Sequence, residues 1–281
     1  MAELTFNAYI INNKVEKIEK EEIIEFYKKI KSDKTEYFTF DDKGSSIAVE
    51  LLHDSLKENY LFIGFRTGRD TNYSEDVLDI SKLRPDQNPR KKEQVELQDY
   101  RFVYIDFIKQ ITLISYGAKG IFEKIITKNN YHWTLTEIRV SLEDFIQTTN
   151  IINQIRLASG KNLFYDAASV VKEVDSLQAT GLNVEHYELI MDVKLTGSLK
   201  EKVIRYFTNE YSEGKYEKLV IVGDKDGSFE KIFNKDTFTH KLVIEVEYEE
   251  KSGYNYEEII DKVKQAMDST TYFTNNNSGN N

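Results

Sequence analysis

Apolar and polar positions along this chain switch between two periods, and the switches mark out its elements. Leu4 to Ile11 reads as a first strand. Ile23, Phe26, Tyr27 and Ile30 then recur at helical spacing inside the charged run from Glu16 to Lys31, which predicts an amphipathic helix with a solvated outer face. Tyr37 to Phe40 is extended, Lys43-Gly44 marks a turn, and the apolar runs Ile47 to Leu52 and Tyr60 to Phe65 complete a small antiparallel meander. The opening unit therefore reads β-α-β-β-β.

The pattern breaks between Arg66 and Gln98, a polar and charged stretch that holds both prolines, Pro85 and Pro89, and is too long for a tight loop. Order resumes with a hairpin, Phe102 to Ile105 and Gln110 to Ser115, then a short helix from Gly120 to Lys128 and an extended segment from Tyr131 to Val140. Ser141-Leu142-Glu143-Asp144 fits a helix-opening cap. Ile151 to Leu157 is read as strand and Ala167 to Val174 as helix. Toward the end, Tyr187 to Leu195 is a strand, Ser198-Leu199-Lys200-Glu201 a capping box, and Val203, Ile204, Phe207 and Tyr211 one helical face. Leu219 to Val222, a turn at Asp226-Gly227 and Phe229 to Phe233 form a hairpin; Leu242, Ile244, Val246 and Tyr248 alternate as a half-wet strand; Ile259, Ile260, Val263 and Met267 close with a helix.

These elements predict an α+β protein, with antiparallel sheets, amphipathic helices packed on one face, and two sub-domains of similar β-α-β-β order. The expected division is an N-terminal domain over 1–98 with an irregular basic segment at 66–98, a central hairpin–helix segment over 99–182, a C-terminal α+β domain over 183–272, and a disordered tail over 273–281.

Composition narrows the chemistry. A chain of 281 residues with 40% hydrophobic content can build cores in both halves. It has no cysteine, which removes disulfides, thiolate catalysis and cysteine-based zinc sites, and fits a reducing, cytoplasmic setting. No apolar run reaches the ~20 residues of a membrane helix, and the N-terminus lacks a signal pattern. The net charge of −10 disfavours wrapping a polyanion globally, so nucleic-acid contact would need a local basic patch.

Most catalytic signatures fail. Gly64 and Gly68 sit in a stretch with neither the Walker lysine nor the dinucleotide glycine spacing, and turn glycines are the plainer reading. Asp224-Lys225-Asp226-Gly227 would put Val222 and Phe233 at calcium-ligand positions of an EF-hand. His53, His132, His186 and His240 are scattered, and no Gly-x-Ser-x-Gly elbow exists. Asp192-Val193-Lys194 and Glu249-Glu250-Lys251 follow strand patterns, where carboxylates could hold Mg²⁺ for a nuclease. Solvated strand ends are the plainer reading of both triplets in so charged a chain.

The signal that weighs most is the basic run Arg66, Arg69, Lys82, Arg84, Arg90, Lys91 and Lys92, which could neutralise phosphates by counterion release. Asp70, Glu75, Asp76, Asp79, Asp86 and Glu93 are interspersed, as in a solvated loop. The stretch Phe102 to Ser115 with its following helix, and more weakly Met191 to Leu195, resembles RexA-like and KwaB-like phage-exclusion proteins. That resemblance implies a cytoplasmic sensor that binds DNA with little sequence preference and acts through a partner, often a membrane protein, rather than an enzyme. The expectation is thus a non-enzymatic antiphage-defence or phage-encoded accessory protein, without cofactor, partnered by DNA through the loop, by another protein, and by copies of itself. The alternatives are a Mg²⁺-dependent nuclease using Asp192 or Glu249, and an acidic interaction module or DNA mimic using Glu245, Glu247, Glu249 and Glu250.

Overall fold

The computed structural model describes residues 1–13, 16–32, 37–42, 45–69, 76–79, 84–89, 91, 94–159, 187–226, 229–234, 237–249 and 253–270. The fold is α+β and its strand pairing is antiparallel throughout the described ladders. Two compact units form, one from residues 1–137 with 244–265 and the other from residues 138–243 with 266–281. The expected breaks at 98 and 182 are not where the units part. Partner strands lie on both sides of residue 98, so the sheet carries the first unit through to Glu137.

The first unit contains β1 (Ala2–Asn13), β2 (Glu16–Lys17), α1 (Lys20–Ser32), β3 (Tyr37–Asp42), β4 (Ser45–Leu56), β5 (Tyr60–Arg69), β6 (Asp76–Asp79), β7 (Arg84–Gln87), β8 (Asp99–Asp106), β9 (Ile111–Ser115), α2 (Lys119–Lys128) and β10 (Trp133–Glu137). Its main sheet runs β1-β9-β8-β5-β4-β3, with β2 and β10 also paired to β1. Glu16 and Lys17 pair with Asn13 and Asn12, so α1 starts only at Lys20, with Glu21 and Glu22 in its first turn and Lys29 and Lys31 in its last, as the helix dipole favours.

Alternation along β5 and β8 sorts their side chains between two faces. Leu61, Ile63, Phe65, Val103 and Ile105 share a core with Ile23, Phe26 and Ile30 of α1 and Phe122, Ile125 and Ile126 of α2. Phe26 meets Phe122, Tyr131 and Trp133 at ring centroid distances of 6.2, 5.3 and 5.0 Å. Late in the chain, β17 (Tyr248–Glu249), β18 (Gly253–Tyr254) and α5 (Tyr256–Ser269) bring aromatics to the other face. There the Phe102 ring lies 5.4 Å from Tyr254 and 6.3 Å from Tyr256. Packing on both faces explains why Tyr60 to Phe65 and Phe102 to Ile105 read as unbroken apolar runs. Phe62, Phe65 and Phe102 are wholly buried, each contributing about 1.5–3 kcal/mol over exposure.

The second unit contains β11 (Arg139–Val140), α3 (Leu142–Thr148), β12 (Ile152–Ser159), β13 (Tyr187–Leu195), α4 (Gly197–Ser212), β14 (Lys218–Asp226), β15 (Phe229–Asn234) and most of β16 (Thr237–Val246). Its sheet runs β13-β12-β14-β15-β16, with β11 paired to β16. Phe145 and Ile146 of α3 and Ile204 of α4 pack on Ile155, Leu157, Leu219, Ile221 and Phe233. Ser141 caps α3 as its sequence implies, its Oγ accepting the Asp144 N–H at 3.0 Å. The far end of α3 is closed by two buried ammonium groups. Lys200 Nζ donates to Ile146 O at 2.7 Å and to Thr149 O, and Lys231 Nζ donates to Thr148 O.

The capping box expected at Ser198 does not form. The helix opens at Gly197, which sits at φ +59°, with Thr196 as the extended residue before it. Glu201 instead binds Arg205 at 3.0 Å, and Arg205 also holds Glu143 at 2.7 Å. Asp226, expected in a turn with Gly227, is still paired, opposite Phe229. The intervening residues 227–228, the turn at Lys43-Gly44, the helix expected at Ala167 to Val174 and the tail over 273–281 lie outside the described residues. Among the described residues no helix is long and apolar enough to cross a membrane.

Candidate functional site

Residues 66–98 divide into parts with different structure. Arg66 to Arg69 are the last residues of β5 rather than loop, and Thr67 stands opposite Asp99 of β8. The stretch between is therefore an excursion from one strand to its immediate neighbour. Its return limb is pinned at the root, where Gln98 N–H donates to Thr67 O at 3.1 Å. Gly68 is a strand residue, not a turn glycine. Glu96 O comes so close that a Cβ on residue 68 would lie 1.9 Å from it. Farther out, β6 and β7 form a two-stranded ribbon with Asp76 opposite Gln87 and Asp79 opposite Arg84. All of β7 is exposed, as are Asp76 and Val77 of β6.

Individual basic residues fare differently. Arg84 and Lys91 are exposed. Lys91 is tied to Gln94, its N–H donating to Gln94 Oε1 at 2.8 Å and its carbonyl accepting from Gln94 N–H at 3.0 Å. Arg69 ends β5, and Lys82, Arg90 and Lys92 lie outside the described residues, as do the interspersed Asp70, Glu75 and Glu93. Arg66 is engaged: its Nε and Nη2 donate to Glu50 Oε2 at 2.8 and 2.5 Å, and the guanidinium lies 6.0 Å from the Tyr100 ring centroid. The hydrogen bond to Glu50 holds the Arg66 guanidinium above its ordinary range. Arg66 is thus a strut of the root, not one of its outward charges.

A tyrosine cluster that spacing alone could not reveal stands at this root. Tyr100 of β8 meets Tyr248 and Tyr254 at 6.3 and 5.2 Å, and those two lie 4.8 Å apart. Gly253, at φ +76°, makes the hairpin fit, since a Cβ there would lie 2.7 Å from the Tyr100 hydroxyl. Burial pushes the Tyr254 and Tyr256 hydroxyls up from the ordinary tyrosine range. Tyr248 keeps 41% of its surface exposed. Around it Glu245, Glu247 and Glu249 are exposed, while the side chain of Glu250 lies outside the described residues. The Glu247 N–H donates to Glu258 Oε2 at 2.9 Å, and Lys262 Nζ donates to Glu245 O.

The remaining candidates stay dispersed. Asp192 and Lys194 occupy exposed positions of β13, and Asp192 Oδ1 accepts from Gln154 Nε2 at 2.6 Å. His132 is exposed, His240 is buried, and His186 is outside the described residues. His53 stacks on Tyr256 at 4.9 Å with the rings 7° from parallel, and its Nε2 is 3.7 Å from Glu257. Beside it Asp54 accepts from Lys31 Nζ at 2.6 Å and from the Tyr27 hydroxyl. Among the described residues no three His, Asp or Glu side chains gather as a metal site. No protein-family model, no curated protein and no solved structure matches this chain.

Proposed function

We propose that this chain is a non-enzymatic accessory protein of an antiphage-defence or phage-exclusion system, built of two sub-domains of similar strand–helix order. It holds DNA with little sequence preference on the excursion between β5 and β8, and it signals through a partner protein. One observation carries the reading: a two-stranded ribbon, exposed along all of β7, lies in the segment between β5 and β8, whose ends are fixed to the core sheet. A two-stranded ribbon is of a width the DNA major groove admits. Arg84 on the ribbon and Lys91 beyond it are exposed cations of the excursion among the described residues, and such cations bind phosphates irrespective of sequence. The resemblance to RexA-like and KwaB-like proteins supports the same reading.

The test is binding of the purified chain to labelled duplex and single-stranded DNA across a salt series, with and without Mg²⁺. Charge reversal at Arg84, Arg90, Lys91 and Lys92 is expected to weaken binding at least tenfold and to flatten the salt slope by roughly one for each phosphate that is no longer neutralised. Unchanged affinity and slope would remove the excursion from the interface. Cleavage that requires Mg²⁺ and disappears in Asp192→Ala or Glu249→Ala would move the chain to the nuclease reading.

A second reading rests on the exposed row of Glu245, Glu247 and Glu249 beside Tyr248. A half-exposed tyrosine rimmed by carboxylates suits a basic protein partner, or mimicry of DNA before a DNA-binding protein. It requires partner binding that weakens with salt and no DNA binding at all.

A further inference from the structure

β13 ends the second unit's sheet. It pairs with β12 from Tyr187 opposite Ser159 to Leu195 opposite Ile152 and, among the described residues, with no other strand. In an antiparallel ladder, alternate residues of such a strand turn their N–H and C=O groups away from the partner, where they are open to further pairing. Its side chains sort between two faces. Leu189, Met191, Val193 and Leu195 pack on the core shared with α3 and α4, while Glu188, Ile190, Asp192 and Lys194 are exposed on the other face. Ile190 keeps 52% of its surface in solvent.

The exposed face already carries contacts of its own. Lys218 Nζ reaches Glu188 at 3.0 Å across Ala158, the β12 residue that stands opposite both. Asp192 accepts from Gln154, and Gln154 accepts from Arg156, which stands opposite Ile190. Along the strand the signs are therefore negative at 188, negative at 192 and positive at 194. That order decides how a second, antiparallel copy of β13 can lie beside the first. A two-fold axis between two residues would set apolar side chains against charged ones, since a slip of one residue exchanges the faces. An axis at residue 190 sets Glu188 against Asp192 twice, and an axis at residue 192 sets Asp192 against itself. An axis at residue 191 sets Glu188 against Lys194 twice, Leu189 against Val193 twice and Met191 against Met191. Each Asp192 then meets Ile190 of the other copy, with Arg156 of that copy next in the row.

We propose that two copies of the chain join antiparallel through β13, with the two-fold axis at Met191, so that the second unit's sheet continues from one copy into the other. Main-chain hydrogen bonds hold the strands together, and the charged residues choose the register: they repel in the neighbouring alignments and attract in this one. The existing contact with Lys218 does not exclude Lys194, because a carboxylate accepts several donors. A contact between identical strands also repeats each favourable pair, which one foreign strand would have to supply by a matching sequence of its own. The half-buried row from Leu189 to Leu195 becomes continuous with its copy on the side that α3 and α4 cover. Pairing through β13 stands whether or not the excursion binds DNA.

The chain has no cysteine, so a single introduced thiol reports its own position. Met191→Cys, Leu189→Cys and Val193→Cys are oxidised separately in the full chain. Met191→Cys should give a covalent dimer fastest, since only at the axis does a residue come within disulfide reach of its own copy. Leu189→Cys mixed with Val193→Cys should cross-link faster than either alone. Sedimentation of the parent chain should show a dimer that dissociates on dilution. Lys194→Glu should weaken it about tenfold, and adding Glu188→Lys to Lys194→Glu should restore it. Both positions are exposed, so circular dichroism should stay that of the parent. A parent chain that remains monomeric at every concentration would overturn the proposal, as would a dimer that Lys194→Glu leaves untouched. Faster cross-linking through Ile190→Cys or Asp192→Cys than through Met191→Cys would overturn the register.

Discussion

Gly68 shows at a single position how the excursion is tied to the core. A Cβ would lie 1.9 Å from Glu96 O and 2.8 Å from Val95 Cγ1, and backbone cannot yield as a side-chain tip can. Gly68→Ala should therefore destabilise the first unit by about 1–3 kcal/mol, seen as a lower urea midpoint. An unchanged midpoint would mean that the 94–96 limb lifts away at no cost. Asp54 supplies a pH signature. Burial alone would raise its carboxyl, but the hydrogen bonds from Lys31 and Tyr27 outweigh it and hold the group below its ordinary range. Its stabilisation is complete above the unfolded value of about 3.9 and is lost as pH falls through the folded value. Tyr27 runs the other way: burial and the Asp54 hydrogen bond push its hydroxyl up to about 12, so its contribution holds below about 10 and fades as pH rises toward the folded value. Asp54→Asn should melt below the parent near neutrality, with the gap closing as pH falls toward that of the protonated carboxyl. A gap that stayed constant with pH would show that Asp54 carries no folding-linked proton.

At the scale of elements, α3 is a helix of 7 residues and too short to stand alone, so its ends decide whether it forms. Ser141 holds one end and the ammonium groups of Lys200 and Lys231 hold the other. Lys200→Met keeps the apolar stem but leaves the carbonyls of Ile146 and Thr149 without their donor. That should cost about 1–3 kcal/mol and speed amide exchange in 142–148 before the rest of the unit. Uniform exchange across the unit would show that the cap is not local. The two ends also differ in how far the sequence discloses them. Ser141 with Asp144 is a local pattern and is read directly, as are α1, α2 and α5, whose apolar positions repeat at helical spacing. Lys231, only 3% exposed, sits between Glu230 and Ile232 on a strand where its type suggests solvent. Its partner is 83 positions away, so no window of sequence contains the reason for its burial. The box at Ser198 misled for a different cause: Glu201, the residue meant to close it, is taken by Arg205 four positions on, so one local pattern displaced another.

On the scale of the whole molecule, the same distinction separates what the chain is from what it binds. The meander, the central hairpin and the terminal helix were legible because each is fixed by neighbours in sequence. The tyrosine cluster and the edge position of β13 were not, since Tyr100 meets Tyr248 and β13 comes to lie beside β12 only after their sheets have closed. The excursion lies between these cases. Its polar composition marked it as an irregular basic segment, yet nothing in that composition said that both its ends stand on paired strands. That geometry makes function separable from fold. Thr67 and Asp99 are already opposite one another, so residues 68–98 can be replaced by an Asn-Gly turn that closes β5 onto β8 as an ordinary hairpin. Shortening a loop reduces its closure entropy, which offsets the missing packing at Gly68 and Gln98. The shortened chain should keep the far-ultraviolet dichroism of its sheet and melt within a few degrees of the parent, while its affinity for duplex DNA falls at least tenfold and its salt slope flattens. If it folds and binds DNA as the parent does, the interface lies elsewhere on the chain and the ribbon is only a solvated loop. If it fails to fold, the excursion is part of the core, and the charge-reversal variants, which leave the root intact, decide the question of binding.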